Sequence, residues 1–400
     1  MRDSGSAGVG RKATVLTTLT VLLTLGTAAQ ADIRSRQWHL DAMKAEEMWQ
    51  TSKGEGVTVA VIDTGVEATL PNLRGRVLEG RNFSARPGGA QVDPHNHGTR
   101  IAELIAGTGA GEHKAFGLAP GAVILPLRVA SGTDSANAAA AAQAFTEDVS
   151  AAVRYAADSQ ARVINISMGT RTSSEQLAEA IRYANARGKL IFASVGNSGD
   201  KANEVEYPAA LPGVVGVAAV NRAISATEES QRGQQVDLAA PGEDMVAVCA
   251  NGTDICVSHG TSDATALASA SAALVWSAHP DWTANQVLRV LINTAGGPKS
   301  GEKRSDTIGY GVVRPRIALQ NPGDPGPADV SPLPELAAKP RPTPSRATGG
   351  MTRADTDKDS ESANGGTVLV AAGVATAIAL AAGATVLAVR RRKAAAVPPR

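Results

Sequence analysis

Residues 56–63 read GVTVAVID, an apolar and largely β-branched run that ends in a carboxylate and is followed by Thr64-Gly65. A continuous apolar run of this kind is typical of a strand that is buried on both faces of a parallel sheet. Ligand sites in open parallel sheets lie at the carboxyl ends of the strands, which is where Asp63 stands. Asp63 is therefore a candidate functional residue, although an aspartate at this position also caps ordinary turns.

Strand and helix patterns alternate along the rest of the chain. Strands are predicted at 123–129, 163–166, 189–195, 214–220 and 236–239, and helices at 99–106, 146–157 and 283–294. Repeated strand–helix–strand units predict an α/β fold in which a mostly parallel sheet carries helices on both faces.

Ser262 is the candidate nucleophile. Small residues surround it in the run 258–266 (SHGTSDATA), and an Ala-rich stretch at 267–277 follows directly. This pattern predicts a helix N-terminus at Ser262, where backbone N–H groups and the helix dipole favour a developing negative charge. Serine is also an ordinary helix N-cap, so catalysis requires a base, an orienting acid and an oxyanion donor elsewhere. Two histidines close together in the sequence, His95 and His97, are candidates for the base.

The composition argues against nucleic-acid binding. The chain has 400 residues, a formal net charge of +1 and 3% aromatic residues. Nucleic-acid binders usually carry a basic excess or aromatic stacking platforms, so no nucleic-acid partner is expected. No cofactor and no metal site are expected either, since the sequence shows no clear cluster of ligands.

The N-terminal end carries an export pattern. Basic residues precede an uncharged, mostly apolar run at 13–28, and Ala29-Gln30-Ala31 offers a small-x-small cleavage site. Residues 1–31 are therefore predicted to be a signal peptide.

The C-terminal end carries a membrane pattern. Residues 367–389 contain no charge and precede the basic cluster 390–393, which predicts a transmembrane helix at 366–389 and a cytoplasmic basic tail at 390–400. Residues 321–365 are rich in Pro, Asp, Ser and Lys and lack apolar periodicity, which predicts a disordered Pro-rich linker. The expected protein is thus single-pass in the cell membrane, with one extracytoplasmic domain at 32–320.

Cys249 and Cys256 are the only cysteines. The exported location is oxidising, so a disulfide across this short loop is predicted. Two free thiols are the alternative, and a zinc site is not expected because partner ligands at zinc spacing are missing.

Five local motifs resemble those of the subtilisin-like serine proteases, or subtilases. Segments 59–65 (VAVIDTG), 97–99 (HGT) and 260–265 (GTSDAT) resemble the family's Asp, His and Ser motifs and occur in its order. Segment 196–199 (GNSG) resembles the oxyanion-asparagine segment, and Ser167-Met168-Gly169 resembles the substrate-binding strand.

This resemblance implies a subtilisin-like three-layer sandwich and hydrolysis of protein or peptide substrates through an acyl-enzyme. It implies that Asp63, His97 and Ser262 form the catalytic triad, with Ser262 as nucleophile and His97, rather than His95, as base. It also implies that Asn197 is the oxyanion donor and that the substrate lies along Ser167-Met168-Gly169 as an extended strand.

The order of signal peptide, single subtilisin-like domain, linker and membrane helix resembles the mycosins, membrane-anchored proteases of actinobacterial type VII secretion systems. This resemblance implies the type VII secretion machinery as a partner. The alternative hypothesis is a structural scaffold of the secretion complex whose protease activity is weak or dispensable. A sugar- or lipid-hydrolysing serine enzyme is not expected, since the sequence around Ser262 lacks the Gly-x-Ser-x-Gly elbow.

Four positions depart from the usual subtilase pattern: Ala266 stands where proline is common, Glu103 where glycine is usual, Arg314 where aspartate is common, and Asp263 where an apolar residue is frequent. A carboxylate directly after the nucleophile is expected to oppose the developing oxyanion and to slow acylation.

Overall fold

The computed structural model describes residues 33–132, 134, 137–249 and 255–333. The predicted signal peptide, the transmembrane helix at 366–389 and the basic tail at 390–400 lie outside the described residues. Within those residues, no helix combines the length and the apolar character needed to cross a membrane.

The described helices are α1 (Ile33–Arg36), α2 (Trp38–Ala42), α3 (Ala45–Met48), α4 (His97–Ala106), α5 (Ala138–Asp158), α6 (Glu175–Ala186), α7 (Thr261–Ala278), α8 (Ala284–Thr294) and α9 (Pro315–Gln320). The strands are β1 (Thr58–Asp63), β2 (Arg81–Asn82), β3 (Val123–Arg128), β4 (Val163–Ile166), β5 (Leu190–Ser194), β6 (Val215–Val220), β7 (Leu238–Pro241), β8 (Met245–Val248) and β9 (Ile255–Ser258).

A seven-stranded sheet in the order β2-β3-β1-β4-β5-β6-β7 forms the centre of the domain. All of its neighbouring strands pair in parallel, and β8 and β9 form a separate antiparallel hairpin. The predicted α/β fold with a mostly parallel sheet is confirmed. Because parallel strands share a direction, the carboxyl ends of β1, β4 and β5 meet at one edge of the sheet.

Helices cover both faces of this sheet. In β1, Val59 and Val61 pack in a core with residues of α4, α7 and α8, whereas Ala60 and Ile62 pack in a second core with residues of α5 and α6. This alternation follows from the period of two of a strand, and it divides the domain into three layers.

Helix α7 runs through the first of these cores. Its residues from 263 to 276 are all buried, whereas Ser262 at its N-terminal end is partly accessible. A helix that is apolar on every side is stable only inside a core, and its many Ala and Ser side chains let neighbouring elements approach closely. Because α7 is buried along this length, its N-terminus is held in a fixed position at the carboxyl edge of the sheet.

The predicted start of the disordered linker at residue 321 is wrong for its described part. Residues 321–333 pack on α8, where Arg289 Nη1 donates to the carbonyl of Pro325 at 2.6 Å and Gln286 Nε2 donates to that of Gly326 at 3.0 Å. The Leu333 side chain is buried in the core. Carbonyls of this Pro-rich segment lack strand or helix partners, so they accept hydrogen bonds from α8 side chains instead.

Candidate active site

Three neighbouring strands of the sheet deliver the candidate residues to one edge. Asp63 is the last residue of β1, Ser167 follows β4, and Asn197 follows the end of β5 by three positions. Since β4 lies between β1 and β5, these segments are neighbours at the carboxyl edge. The N-termini of α4 and α7 add His97 and Ser262.

His97 and Asp63 are hydrogen bonded, with 2.7 Å between His97 Nδ1 and Asp63 Oδ1. Asp63 is buried, and its Oδ1 also accepts the backbone N–H of Thr64 at 2.7 Å. The approach of α4 to β1 requires glycine at position 98, because a Cβ there would lie 2.2 Å from the carbonyl oxygen of Gly65. The second histidine, His95, instead lies 3.2 Å from Asp134.

The charge of Asp63 controls the titration of His97. Burial by itself lowers the pKa of His97, but the carboxylate of Asp63 and its hydrogen bond outweigh this, so the pKa lies above the ordinary value. A nearby carboxylate stabilises imidazolium relative to imidazole, which is what a catalytic base needs after it takes a proton.

The sequence analysis did not identify Asp93, which supports the hydrogen-bonded pair of His97 and Asp63 through neighbouring residues. Its Oδ1 accepts the Thr64 hydroxyl at 2.7 Å, and its Oδ2 accepts the backbone N–H of Thr99 at 2.8 Å. Asp93 thereby ties the turn after Asp63 to the first turn of α4. The available signal was an aspartate shortly before a helix start, a position where carboxylates cap free N–H groups.

Ser262 stands in the first turn of α7, as predicted, but its hydroxyl has a different partner from the one expected. Ser262 Oγ donates to the carbonyl of Ser167 at 2.8 Å, and Ser167 Oγ donates to the carbonyl of Ser262 at 3.0 Å. Among the described residues, no hydrogen bond joins Ser262 Oγ to His97. Rotation about one Cα–Cβ bond moves a serine hydroxyl between staggered positions at small cost.

The orientation of the Asn197 amide follows from its donors. Asn197 Oδ1 accepts the backbone N–H of Thr261 at 2.9 Å and the Thr261 hydroxyl at 3.1 Å. A backbone N–H can only donate, so the oxygen faces Thr261 and the NH₂ group is left for a ligand. The Asn197 side chain is exposed, beside the N-terminus of α7.

The predicted substrate strand lies beside Ser262, to which Ser167 is hydrogen bonded. Ser167 is buried, Met168 is half-buried and Gly169 is exposed. The next residue, Thr170, exchanges two backbone hydrogen bonds with Tyr207, at 2.9 and 2.7 Å. These bonds hold the far end of the segment in an extended form.

Of the positions that depart from the family pattern, Asp263, Glu103 and Ala266 are buried, whereas Arg314 is exposed. Asp263 is fully buried and forms an ion pair with Arg100, whose Nε lies 3.3 Å from Asp263 Oδ1. Glu103 accepts a hydrogen bond from Asn72 within the core, and Arg314 Nε donates to the carbonyl of Thr294 at 2.7 Å, at the end of α8. Ala266 is fully buried in α7.

The predicted disulfide between Cys249 and Cys256 is present, with a Cα–Cα distance of 5.3 Å. It joins the β8 and β9 sides of the hairpin, next to the start of α4, where Asn96 Nδ2 lies 3.8 Å from Cys256 Sγ. In the part of the chain that the structure describes, no three His, Cys, Asp or Glu residues lie close enough to hold a metal ion.

A parallel sheet that carries an Asp–His pair and a serine at a helix N-terminus along one edge, in the chain order Asp, His, Ser, is the arrangement of the subtilisin-like serine proteases. The model of the subtilase family matches residues 54–311, and the chain belongs to this family. It is a serine endopeptidase. Among curated relatives, thermitase of Thermoactinomyces vulgaris is 31% identical over 261 residues, which cover 65% of this chain and 88% of thermitase. The major intracellular serine protease of Bacillus subtilis is 31% identical over 227 residues, which cover 55% of this chain and 69% of that protein.

Solved structures with the same fold include mycosins. MycP1 from Mycobacterium smegmatis is 28% identical with a TM-score of 0.64, and the match covers 73% of this chain and 86% of MycP1. The MycP3 protease from the type VII (ESX-3) secretion system is 33% identical with a TM-score of 0.63, and the match covers 71% of this chain and 88% of MycP3.

Proposed function

We propose that the chain is a membrane-anchored, extracytoplasmic serine endopeptidase that uses Asp63, His97 and Ser262 and acts with a type VII secretion system. The catalytic part rests on the 2.7 Å hydrogen bond between His97 and Asp63, at the sheet edge where α7 begins with Ser262. The secretion part rests on the likeness to MycP1 and MycP3.

The proposed reaction starts with the Ser262 hydroxyl leaving the Ser167 carbonyl and turning toward His97. The N–H at His97 Nδ1 donates a hydrogen bond to Asp63, so Nε2 carries the free electron pair and accepts the Ser262 proton as Oγ attacks the peptide carbonyl. His97 then protonates the leaving amine, and water hydrolyses the acyl-enzyme.

Asn197 is the proposed side-chain donor to the oxyanion, together with the backbone N–H of Ser262. Thr261 donates to its oxygen, and among the described residues its NH₂ group has no hydrogen-bond acceptor. Such a donor acts mainly on the transition state, so Asn197→Ala is expected to lower kcat by a factor of about 10²–10³ with little change in KM.

The nucleophile is tested with a fluorophosphonate probe on the full-length chain. The parent is expected to be labelled and Ser262→Ala to be unlabelled. Ser277→Ala is the matched control, because it removes a different hydroxyl from the same helix, and it is expected to keep the label. A folded parent that takes no label would contradict the proposed triad and favour the scaffold hypothesis.

An export assay in the native host distinguishes a catalytic role in secretion from a scaffolding role. Export of type VII substrates is measured in a deletion strain that carries either the parent or Ser262→Ala. Failure of Ser262→Ala to restore export is the result expected of a protease, whereas full restoration would favour a scaffold.

The proposed topology rests on the sequence patterns at 1–31 and 366–400. Cell fractionation is expected to find the parent in the membrane, and deletion of 366–400 is expected to release it. A parent recovered in the soluble fraction would contradict the proposed anchor.

A further inference from the structure

Glu206 lies beside the candidate active site, although it carries no role in the proposed mechanism. A Cβ added at Gly169 would lie 2.8 Å from Glu206 Oε2, and one added at Gly196 would lie 2.8 Å from Glu206 Cδ. Gly169 ends the predicted substrate strand, and Gly196 directly precedes Asn197. The Glu206 carboxylate therefore lies in contact range of the main chain at both Gly169 and Gly196.

Buried and backbone contacts hold this carboxylate in place. Gln231 is fully buried and its Nε2 donates to Glu206 Oε1 at 3.1 Å and to Ser198 Oγ at 2.9 Å. The backbone of the following residue, Tyr207, is tied to Thr170 by its two hydrogen bonds. Glu206 thus projects from a fixed backbone, with one oxygen held by a neutral amide.

The other oxygen has no hydrogen-bond or ion-pair partner among the described residues. The charged groups facing Glu206 are Arg171 and Glu204, and Arg171 Nη1 is bound to Glu204 Oε2 at 2.6 Å. Burial raises the pKa of Glu206, and the guanidinium of Arg171 lowers it in part. With Arg171 engaged by Glu204, these three charges leave a net negative charge at a half-buried position.

A bound peptide brings one of its side chains to this position. If the peptide extends along Ser167–Gly169 and its reacting carbonyl lies between Ser262 and Asn197, the side chain of the carbonyl-bearing residue points between the two glycine segments. This step rests on the proposed function. Gly169 and Gly196 have no side chains, so nothing from these segments separates the substrate side chain from Glu206.

We propose that Glu206 forms the base of a specificity subsite for lysine or arginine in the residue whose carbonyl is attacked. The free Oε2 accepts hydrogen bonds from the ammonium or guanidinium group, and the partial burial strengthens this contact. Glu206 is a specificity-determining residue in this assignment and takes no part in bond cleavage.

The binding test does not depend on catalysis. It uses the full-length chain with Ser262→Ala and a fluorescein-labelled, alanine-rich peptide with a single arginine, compared with the same peptide carrying citrulline. Citrulline has nearly the shape of arginine without the charge, so the comparison isolates the ion pair. The arginine peptide is expected to bind about 10–100 times more tightly, as for a hydrogen bond between charged groups.

When Glu206→Gln is added to the Ser262→Ala chain, the preference for the arginine peptide is expected to be lost. The substitution retains the shape of the side chain and its contact with Gln231 but removes the charge. Glu206→Asp is expected to weaken the preference without abolishing it. Glu175→Gln is the control, since it removes the same charge from an exposed position on α6. Equal binding of the two peptides, or a preference that survives Glu206→Gln, would overturn the subsite.

Hydrolysis by the parent chain provides the second readout. The ratio of kcat/KM for lysine and norleucine substrates is expected to fall about 10–100-fold in Glu206→Gln, with the norleucine rate retained. The ratio is also expected to fall at acidic pH as Glu206 is protonated, and forming the ratio cancels the titration of His97. If no substrate is cleaved, the proposed function fails, whereas the binding test still decides on the subsite.

Discussion

Asp263 directly follows the proposed nucleophile, where an isolated negative charge would oppose the oxyanion. The sequence alone predicted such a field, but Arg100 lies 3.3 Å away and neutralises it. Arg100 is on α4, one turn after His97, and Asp263 is on α7 next to Ser262. The pair therefore joins the two helices that carry the proposed base and nucleophile, and we propose that Arg100 offsets the effect of Asp263 on acylation.

Removing the charge of Arg100 and removing that of Asp263 are expected to shift the acid limb of kcat/KM in opposite directions along the pH scale. Arg100 lowers the pKa of His97 and Asp263 raises it. A base must be unprotonated, so Asp263→Asn is expected to move the acid limb of kcat/KM to lower pH and Arg100→Met to move it to higher pH. Arg100→Met is also expected to lower kcat and to destabilise the domain by about 3–5 kcal/mol, since it leaves a buried charge unpaired.

The double variant Arg100→Met/Asp263→Ala is the control, because it removes both charges and is expected to return the acid limb toward that of the parent. The pH profile of kcat/KM is the measurement, and a profile that none of the single variants moves would contradict this account.

At the scale of the elements, α4 carries an ionisable group on its core side. Glu103 is 2% exposed, and burial raises its pKa to about 8. On α2, His39 is fully buried with neither ring nitrogen hydrogen bonded in the described structure, and burial lowers its pKa to about 3. Both side chains are thus neutral in the folded domain near pH 7.

These two groups predict a free energy of unfolding that falls below about pH 4.5 and above about pH 6.5, because their effects oppose each other between these values. Above pH 4.5 the unfolded chain loses the Glu103 proton that the folded chain keeps up to about pH 8. The free energy of unfolding therefore falls as pH rises through this window, by up to about 1.4 kcal/mol per pH unit. For His39 the unfolded chain gains a proton below 6.5 that the folded chain refuses down to about pH 3, so stability falls as pH decreases there.

Thermal unfolding against pH checks both effects. Glu103→Gln is expected to remove the loss of Tm between about pH 6.5 and about pH 8, where only Glu103 of this pair titrates. His39→Gln serves as the comparison, since it is expected to act only on the acid side. Parallel Tm curves for the parent and Glu103→Gln would contradict the assigned burial penalty.

Element boundaries depended on whether a local signal was present. The strand predicted at 163–166 is confirmed by β4 (Val163–Ile166), and the helix predicted at 283–294 is confirmed by α8 (Ala284–Thr294), with Thr283 as its N-cap. The helix predicted at 146–157 begins earlier, at Ala138 of α5, where Asn137 accepts the N–H groups of two following residues. Alanine runs have strong helix propensity but no amphipathic period, so the periodicity alone placed this start too late.

For the whole molecule, the segment 321–333 matters because it belongs to the folded domain. Thr283 Oγ1 and Asn285 Nδ2 both donate to the carbonyl of Ala328, at 2.9 and 3.0 Å, and Leu333 is 1% exposed. The segment closes over α8, so any tether to a membrane begins after it.

Truncation tests this boundary. A chain that ends at residue 320 is expected to have a Tm about 5–10 °C below one that ends at residue 333, because it exposes the site of Leu333 and the free donors of α8. Arg289→Ala in the longer chain is expected to give part of this loss. Equal Tm values for the two chains would mean that the segment adds no stability.

The sequence by itself determined the layers of the fold and the chain positions at which chemistry occurs. Apolar runs, their periods and their terminating residues are local properties, so β1 with Asp63 at its end and α7 with Ser262 at its start were readable without coordinates. Tertiary structure alone decided which side chains meet: Arg100 beside Asp263, Asp93 behind the His97 pair, and Glu206 between two glycines. These contacts join elements far apart in the chain, and no local periodicity encodes a distance or a charge pairing between them.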